Sequence, residues 1–263
     1  MDARMRQVIS EKRHGVAIRF VGRLTVCLLL LSPMSCTKAQ DEAHRKLAEE
    51  YARKGQIQFA LAELGSIQAP TSDDLCGRGE LLIRLGRPQF ENAVRAFQEA
   101  LRLDERSARA LYGLGLLAAT RADFVEAEAF FRKALAIQPG AVHAQNALAG
   151  ALDYQGKSVE AERLYLALEQ DPTVGTLARG NLGELYLRQG KLDLAETKLK
   201  EALASMPENF DWHRYLGEVY RLRGQREAAA SEYRKALELV RRSPAADGAL
   251  VEEFSNRVRE LEQ

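Results

Sequence analysis

Asn181-Leu-Gly-Glu-Leu-Tyr186 is followed 34 residues later by Tyr215-Leu-Gly-Glu-Val-Tyr220, and this near-repetition decides the fold. Working outward from it, the same interval links Ala93, Ala127, Ala161, Ala195 and Ala229. It also links Phe97, Phe131, Tyr165, Leu199 and Tyr233; Gly156, Gly190 and Gly224; and Ala100, Ala134, Ala202 and Ala236, with Leu168 filling the gap in the last column. Recurrence at one interval in several columns marks stacked supersecondary units, each of which needs its neighbours to bury its apolar face.

The columns have a physical reading. Each unit offers a first helix, such as 110–120, a short turn, and a second helix, such as 124–137. In that second helix Ala127, Phe130, Phe131, Ala134 and Leu135 form one apolar stripe at helical spacing. The turn glycines let the chain leave the first helix in a left-handed conformation. Small residues on the first helices (Gly79, Gly115, Ala149, Gly183, Gly217) allow close helix approach, and the aromatic column fills the gap between units. Pro139, Pro172 and Pro207 close three of the units.

Asn181-Leu-Gly-Glu-Leu-Tyr186…Ala195…Leu199…Pro207 and Tyr215-Leu-Gly-Glu-Val-Tyr220…Ala229…Tyr233 resemble the tetratricopeptide-repeat consensus W-x2-L-G-x2-Y…A-x3-F…P. The resemblance implies an all-α fold, a right-handed superhelical solenoid of about six helix pairs with a C-terminal capping helix. The units read as 41–71, 72–107, 108–141, 142–175, 176–209 and 210–243, and residues 244–263 as the cap. The first unit is short, and the second carries two extra residues around Arg87-Pro88.

Charge divides the chain differently. Residues 1–35 hold six Lys/Arg against Asp2 and Glu11, a net of +4; the other 32 basic and 35 acidic residues leave −3. A mildly acidic body is a poor match for nucleic acid. The basic stretch ends at Arg23 and is followed by the apolar run Leu24–Leu31, then Ser32-Pro-Met-Ser35 and Cys36. Such a run suits a signal peptide and falls short of the roughly 20 residues that span a bilayer. Ser35-Cys36 is similar to the lipobox of bacterial lipoproteins, with Pro33 departing from the usual aliphatic residue. That resemblance implies a signal peptide over 1–35, a diacylated Cys36 as lipid anchor, and a short tether at 36–40. Thr37 replaces the Asp that in this family favours inner-membrane retention, which points to the outer membrane, facing the periplasm. With Cys36 acylated, Cys76 is a lone thiol; without acylation an oxidising periplasm could join the two.

Little in the body suggests chemistry. His44, His143 and His213 lie in different units, with no ligand spacing and no cysteine cluster, so neither a metal nor a cofactor is expected. Gly113-Leu-Gly115 sits within a helix and serves packing rather than phosphate binding. No Gly-x-Ser-x-Gly elbow occurs, no catalytic residue is assigned, and no small-molecule substrate is expected. The Glu and Arg runs on the second helices read as a solvated face.

The remaining candidate is the concave groove that tetratricopeptide proteins line with their first helices. Carried over by register, its residues are Arg45, Glu49, Arg53, Glu80 and Arg84 in the first two units. They continue as Arg109, Tyr112 and Leu116, then His143, Asn146, Asp153 and Tyr154. Glu184, Leu187 and Arg188 follow, and finally Arg214, Glu218 and Arg221. The Lys and Asn pairs by which some family members clamp a terminal carboxylate are missing. A mixed-charge groove with Tyr112 and Tyr154 suits a protein partner presenting an extended peptide or a helix; the other reading is a set of ordinary exposed polar residues. Repeats behind a lipidated Cys resemble the pilotin lipoproteins of type IV pilus secretins. The expected function is thus a non-catalytic scaffold in the assembly of an envelope machine. Alternatives are a periplasmic or surface adaptor for another assembly, such as polysaccharide export, and an accessory subunit of an enzyme.

Overall fold

The computed structural model describes residues 33–242 and 248–263, with side chains from Thr37 onward. The part of the expected signal peptide before Pro33, and the Cys36 side chain with its expected acylation, lie outside the described residues. Among the described residues there are thirteen α-helices, one 3₁₀ turn and no strand. The helices are α1 (Pro33–Arg53), α2 (Ile57–Gly65), α3 (Ser72–Arg84), α4 (Phe90–Leu103), α5 (Ala108–Thr120), α6 (Phe124–Ile137) and α7 (Val142–Tyr154). They continue as α8 (Ser158–Leu168), α9 (Gly175–Arg188), α10 (Leu192–Ser205), α11 (Phe210–Leu222), α12 (Arg226–Arg242) and α13 (Gly248–Glu262). The 3₁₀ turn, Arg87–Gln89, takes up the extra residues of the second unit.

One expectation is corrected. Residues 36–40 are helical rather than a tether, because α1 begins at Pro33 and runs unbroken to Arg53. A proline is tolerated at the first helical position, where its missing N–H has no partner to lose. No glycine or proline then interrupts the chain until Gly55, which has φ +72°.

The described residues up to Ala96 form one compact unit and those from Phe97 a second. In the first, α1 packs on α2 and α2 on α3. The Thr71 hydroxyl accepts from the Asp74 amide while the Asp74 carboxylate accepts from the Thr71 amide, a reciprocal cap that starts α3. Arg45 on α1 grips the same carboxylate through Nε and Nη2, both at 2.9 Å. Burial opposes ionisation of Asp74, yet the hydrogen bonds from Arg45 and Thr71 hold it below the usual carboxylate range.

In the second unit α5 pairs with α6, α7 with α8, α9 with α10 and α11 with α12. Each second helix also touches the next first helix, and neighbouring first helices touch each other (α5–α7, α7–α9, α9–α11). Side-chain oxygens of Ser107, Asp123 and Asn209 cap α5, α6 and α11 by accepting from amides three residues on. The column residues Phe97, Phe131, Tyr165, Leu199 and Tyr233 are all buried. Each buried side chain of this size contributes about 1.5–3 kcal/mol. Close approach is literal here: a Cβ on Gly115 would lie 2.4 Å from the Phe131 ring, and one on Gly113 2.3 Å from Phe97.

A row of carboxylates on the second helices joins successive repeats. Glu128, Glu162 and Glu196 are 34 residues apart, and each is held by the end of the next first helix or its turn. Glu128 accepts from Gln155 at 2.8 Å and from Lys157 at 2.6 Å. Glu162 accepts from the Tyr186 hydroxyl at 2.9 Å, and Glu196 accepts from the Tyr220 hydroxyl at 3.1 Å and from Arg223. Arg132 adds a bridge, bonding Glu128 in its own helix and Glu160 in α8, both at 2.8 Å.

The final helix continues the first-helix register. Leu250 extends the series Leu148, Leu182, Leu216, and Phe254 extends Tyr186 and Tyr220. Phe254 is fully buried, with ring centroids 6.5 Å from those of Tyr233 and Phe210. Val251 stands where the preceding repeats carry Gly115, Ala149, Gly183 and Gly217. The side facing away is polar, with Glu252, Glu253, Arg259, Glu260 and Glu262 exposed.

Candidate functional site

The first helices of the second unit bring part of the expected groove together. Tyr154 closes α7 and is 55% exposed, the most exposed of the groove aromatics. Its ring lies against Phe124 of α6, with centroids 4.6 Å apart and planes 9° from parallel, and the Arg188 guanidinium sits 4.9 Å from its centroid. The Tyr154 hydroxyl donates to Glu184 Oε1 at 3.1 Å. Arg188, the last residue of α9, donates to Asp153 through Nη2 and to Glu184 through Nη1. Asp153, Tyr154, Glu184 and Arg188 therefore form one contact cluster across two repeats.

Beside it, Tyr215 hydrogen-bonds Glu184 through its hydroxyl, and Arg214 stacks on the Tyr215 ring at 4.3 Å while bonding Asp211 at 3.3 Å. Glu218 accepts two bonds from Arg221, at 2.7 and 2.6 Å, and one from the Tyr233 hydroxyl at 2.9 Å. The Asn146 and Asn181 carboxamides face each other at 3.4 Å. The electrostatics follow the packing. Burial, reinforced by the negative charge of Glu184, pushes the Tyr154 and Tyr215 hydroxyls up from the ordinary tyrosine value. The bonds from Arg221 hold Glu218 below the usual glutamate value against the opposing effect of burial.

Other expected groove residues lie apart from this cluster or serve packing. Tyr112 is only partly exposed and leans on Phe131 with centroids 5.9 Å apart. Leu116 and Leu187 also pack against the core. Arg109 is exposed on α5, and His143 is exposed on α7. Arg45 is committed to Asp74. Tyr215, Asn181 and Phe124 join the cluster without having been singled out by register. Tyr215 and Asn181 share the sixth position of their repeats, one beyond the groove position that was carried over; Phe124 belongs to a second helix and reaches the face by stacking.

The buried histidine has a structural task. His213 Nδ1 lies 2.6 Å from Glu232 and Nε2 lies 2.9 Å from the Pro207 carbonyl, tying α11 to α12 and to the preceding turn. His44 and Glu63 repeat the first of these contacts at the same register, at 2.7 Å. Among the described residues no group of three or more His, Cys, Asp or Glu could hold a metal ion, and no helix is long and apolar enough to cross a membrane.

Comparison with known proteins places this geometry in a family. A family model described as "Tetratricopeptide repeat" matches residues 76–142 and 181–247. The chain is 29% identical over 165 residues to the TPR repeat-containing protein PA4299 of Pseudomonas aeruginosa, covering 61% of this chain and 66% of that protein. It is 28% identical over 138 residues to the cellulose synthase 1 operon protein C of Komagataeibacter xylinus, covering 48% of this chain but 10% of that one. The chain thus spans about two thirds of the first relative and a tenth of the second. Among solved structures, Cut9 in complex with Hcn1 has a TM-score of 0.73 at 13% identity, over 85% of this chain and 43% of that one. PilW, a type IV pilus biogenesis factor, has a TM-score of 0.60 at 22% identity, over 73% of this chain and 90% of that one. These structural likenesses establish the shared all-α repeat fold.

Proposed function

This chain belongs to the tetratricopeptide-repeat family, and from that premise we propose that its first helices hold a segment of a partner protein during assembly of a cell-envelope machine. Its repeats make it a protein–protein interaction scaffold, and the role proposed is non-catalytic. Tyr154 carries the reading. It is a large aromatic left more than half exposed on the face that neighbouring repeats share, backed by Phe124 and ringed by hydrogen-bonding groups. Rigid aromatics in such settings supply much of the contact energy of an interface at low entropic cost.

In this reading Cys36 is the acylated first residue of the mature protein, and two or more acyl chains anchor the repeats to the outer membrane on its periplasmic side. A pilotin-like part in type IV pilus assembly is favoured by the leader with its Cys36 and by the fold shared with PilW. The sequence similarity to the cellulose synthase operon protein favours a second reading, an adaptor in polysaccharide synthesis or export.

Two experiments test the proposal. Capture of envelope proteins by the wild type, Tyr154→Ala and Arg163→Glu tests the groove, since Arg163 is exposed on the second helix α8. Loss with Tyr154→Ala and retention with Arg163→Glu is expected; the reverse pattern moves the partner to the outer face. Pilus components among the captured proteins support the first reading, and polysaccharide-synthesis components the second. Palmitate labelling of the wild type and Cys36→Ser tests the anchor, and an unlabelled, freely soluble wild type overturns it.

A further inference from the structure

The groove arginine at the centre of the cluster has an unusual position. Arg188 ends α9, and its side chain remains 37% exposed, yet both terminal nitrogens of its guanidinium are engaged. Asp153 and Glu184 each take one of its terminal nitrogens, and the Tyr154 ring lies beneath it at 4.9 Å. A planar cation between two carboxylates and over an aromatic face is the arrangement by which proteins recognise guanidinium groups. The side chains around it show what they accept, because the chain already supplies it.

The surrounding charges point the same way. Asp211 already engages Arg214, and Glu218 already engages Arg221, so neither neighbouring arginine is left over for an acidic segment. Around the cluster itself, Asp153, Glu184, Asp211 and Glu218 face Arg188, Arg214 and Arg221, one more carboxylate than guanidinium. Asp153 is the group most dependent on a cation, since its side chain is 5% exposed. A buried carboxylate without a partner is costly. Something cationic has to occupy this position, but a long side chain at a helix end can swing into solvent when another cation takes its place.

We propose that Asp153, Tyr154 and Glu184 form a receptor for an arginine side chain of the partner segment, and that Arg188 is an internal stand-in which the partner displaces. This rests on the groove reading above and adds to it the chemistry of the segment. Exchange of one guanidinium for another is nearly neutral in energy, so the receptor sets selectivity and register, while the rest of the segment supplies affinity. A segment without a cation at this point leaves Arg188 seated and gains only the edge of Tyr154 that Arg188 leaves exposed.

The test uses the full chain, wild type and Arg188→Ala, with a short Gly/Ser peptide carrying one central arginine. The same peptide with citrulline, which keeps the shape and removes the charge, is the control. Arg188→Ala is expected to bind the arginine peptide about tenfold more tightly than the wild type, the size of one partly desolvated cation–π contact with charge-assisted hydrogen bonds. The citrulline peptide should gain nothing. Should Arg188→Ala be poorly folded alone because Asp153 is left unpaired, its melting temperature is followed with each peptide; recovery by arginine and not by citrulline supports the receptor. Equal effects of both peptides, or none of either, overturn it. So does a wild type that prefers a glutamate peptide and loses that preference in Arg188→Ala, which would make Arg188 itself the receptor for an anion. Partner capture that still depends on Tyr154 while arginine selectivity is absent sinks the receptor alone. Capture indifferent to Tyr154→Ala sinks the groove reading.

Discussion

Ala122 is the residue at which the turn chemistry departs from its own repeat. It occupies the register of Gly156, Gly190 and Gly224, and it takes the same left-handed conformation, φ +60° against +79°, +71° and +75°. A side chain costs about 1–2 kcal/mol in that region, whereas removing it frees the unfolded chain by about 0.4–1 kcal/mol. Ala122→Gly should therefore stabilise the protein by about 0.6–1 kcal/mol, the difference of those terms, and raise its melting temperature slightly. An unchanged or lower value would contradict the strain. Gly180 presents the opposite case, since a Cβ there would lie 2.2 Å from the ring of Trp212 in the next repeat. Gly180→Ala gains helix propensity but must push the indole aside, and overpacking of this kind costs about 1–3 kcal/mol. Trp212 is the single tryptophan, so its fluorescence should report the displacement alongside a lower melting temperature.

At the scale of the element, the second helices do more than form the solvated face that their composition suggests. Glu128 shows the physical reason. Burial works against its ionisation, but hydrogen bonds from Lys157, Arg132 and Gln155 outweigh burial and hold the carboxyl at about 2 instead of the ordinary 4.5. A carboxyl depressed in the folded state contributes stability that is complete above its unfolded value and is lost as pH falls toward the folded one. The melting temperature should accordingly fall between about pH 5 and pH 2. Glu128→Gln, which keeps the shape but not the charge, should lower the melting temperature at neutral pH and flatten that slope. An identical slope in the variant would show that the row of carboxylates does not couple the repeats. The spacing of Glu128, Glu162 and Glu196 was open to reading, as was that of Tyr186 and Tyr220, but their pairing across repeats was not, because spacing does not say how far a side chain reaches.

For the whole molecule, stability in a repeat array comes from each unit and its contacts with neighbours, so a lost end is felt first nearby. The last helix α13 covers Tyr233, Ala236 and Val240 with Phe254. Ending the chain after Arg242 should expose that cluster, lower the melting temperature and promote association. Amide exchange should quicken in α11 and α12 while α5 to α8 keep their protection; uniform loss along the second unit would mean a single cooperative body instead. The sequence by itself determined the helix-pair architecture, the buried aromatic column and the left-handed turns at Gly156, Gly190 and Gly224. Those depend on periodicity and on the absence of a Cβ, which are properties of the residue and its spacing. Only the tertiary structure decided which groove residues are available. Register places Arg45, Tyr112, Tyr154 and Arg188 alike on first helices, yet it does not say what stands opposite each. Packing assigns Arg45 to Asp74, leans Tyr112 on Phe131 and seats Arg188 over Tyr154, because contacts within and between repeats depend on side chains 19 to 35 residues away in sequence whose reach no periodic pattern encodes.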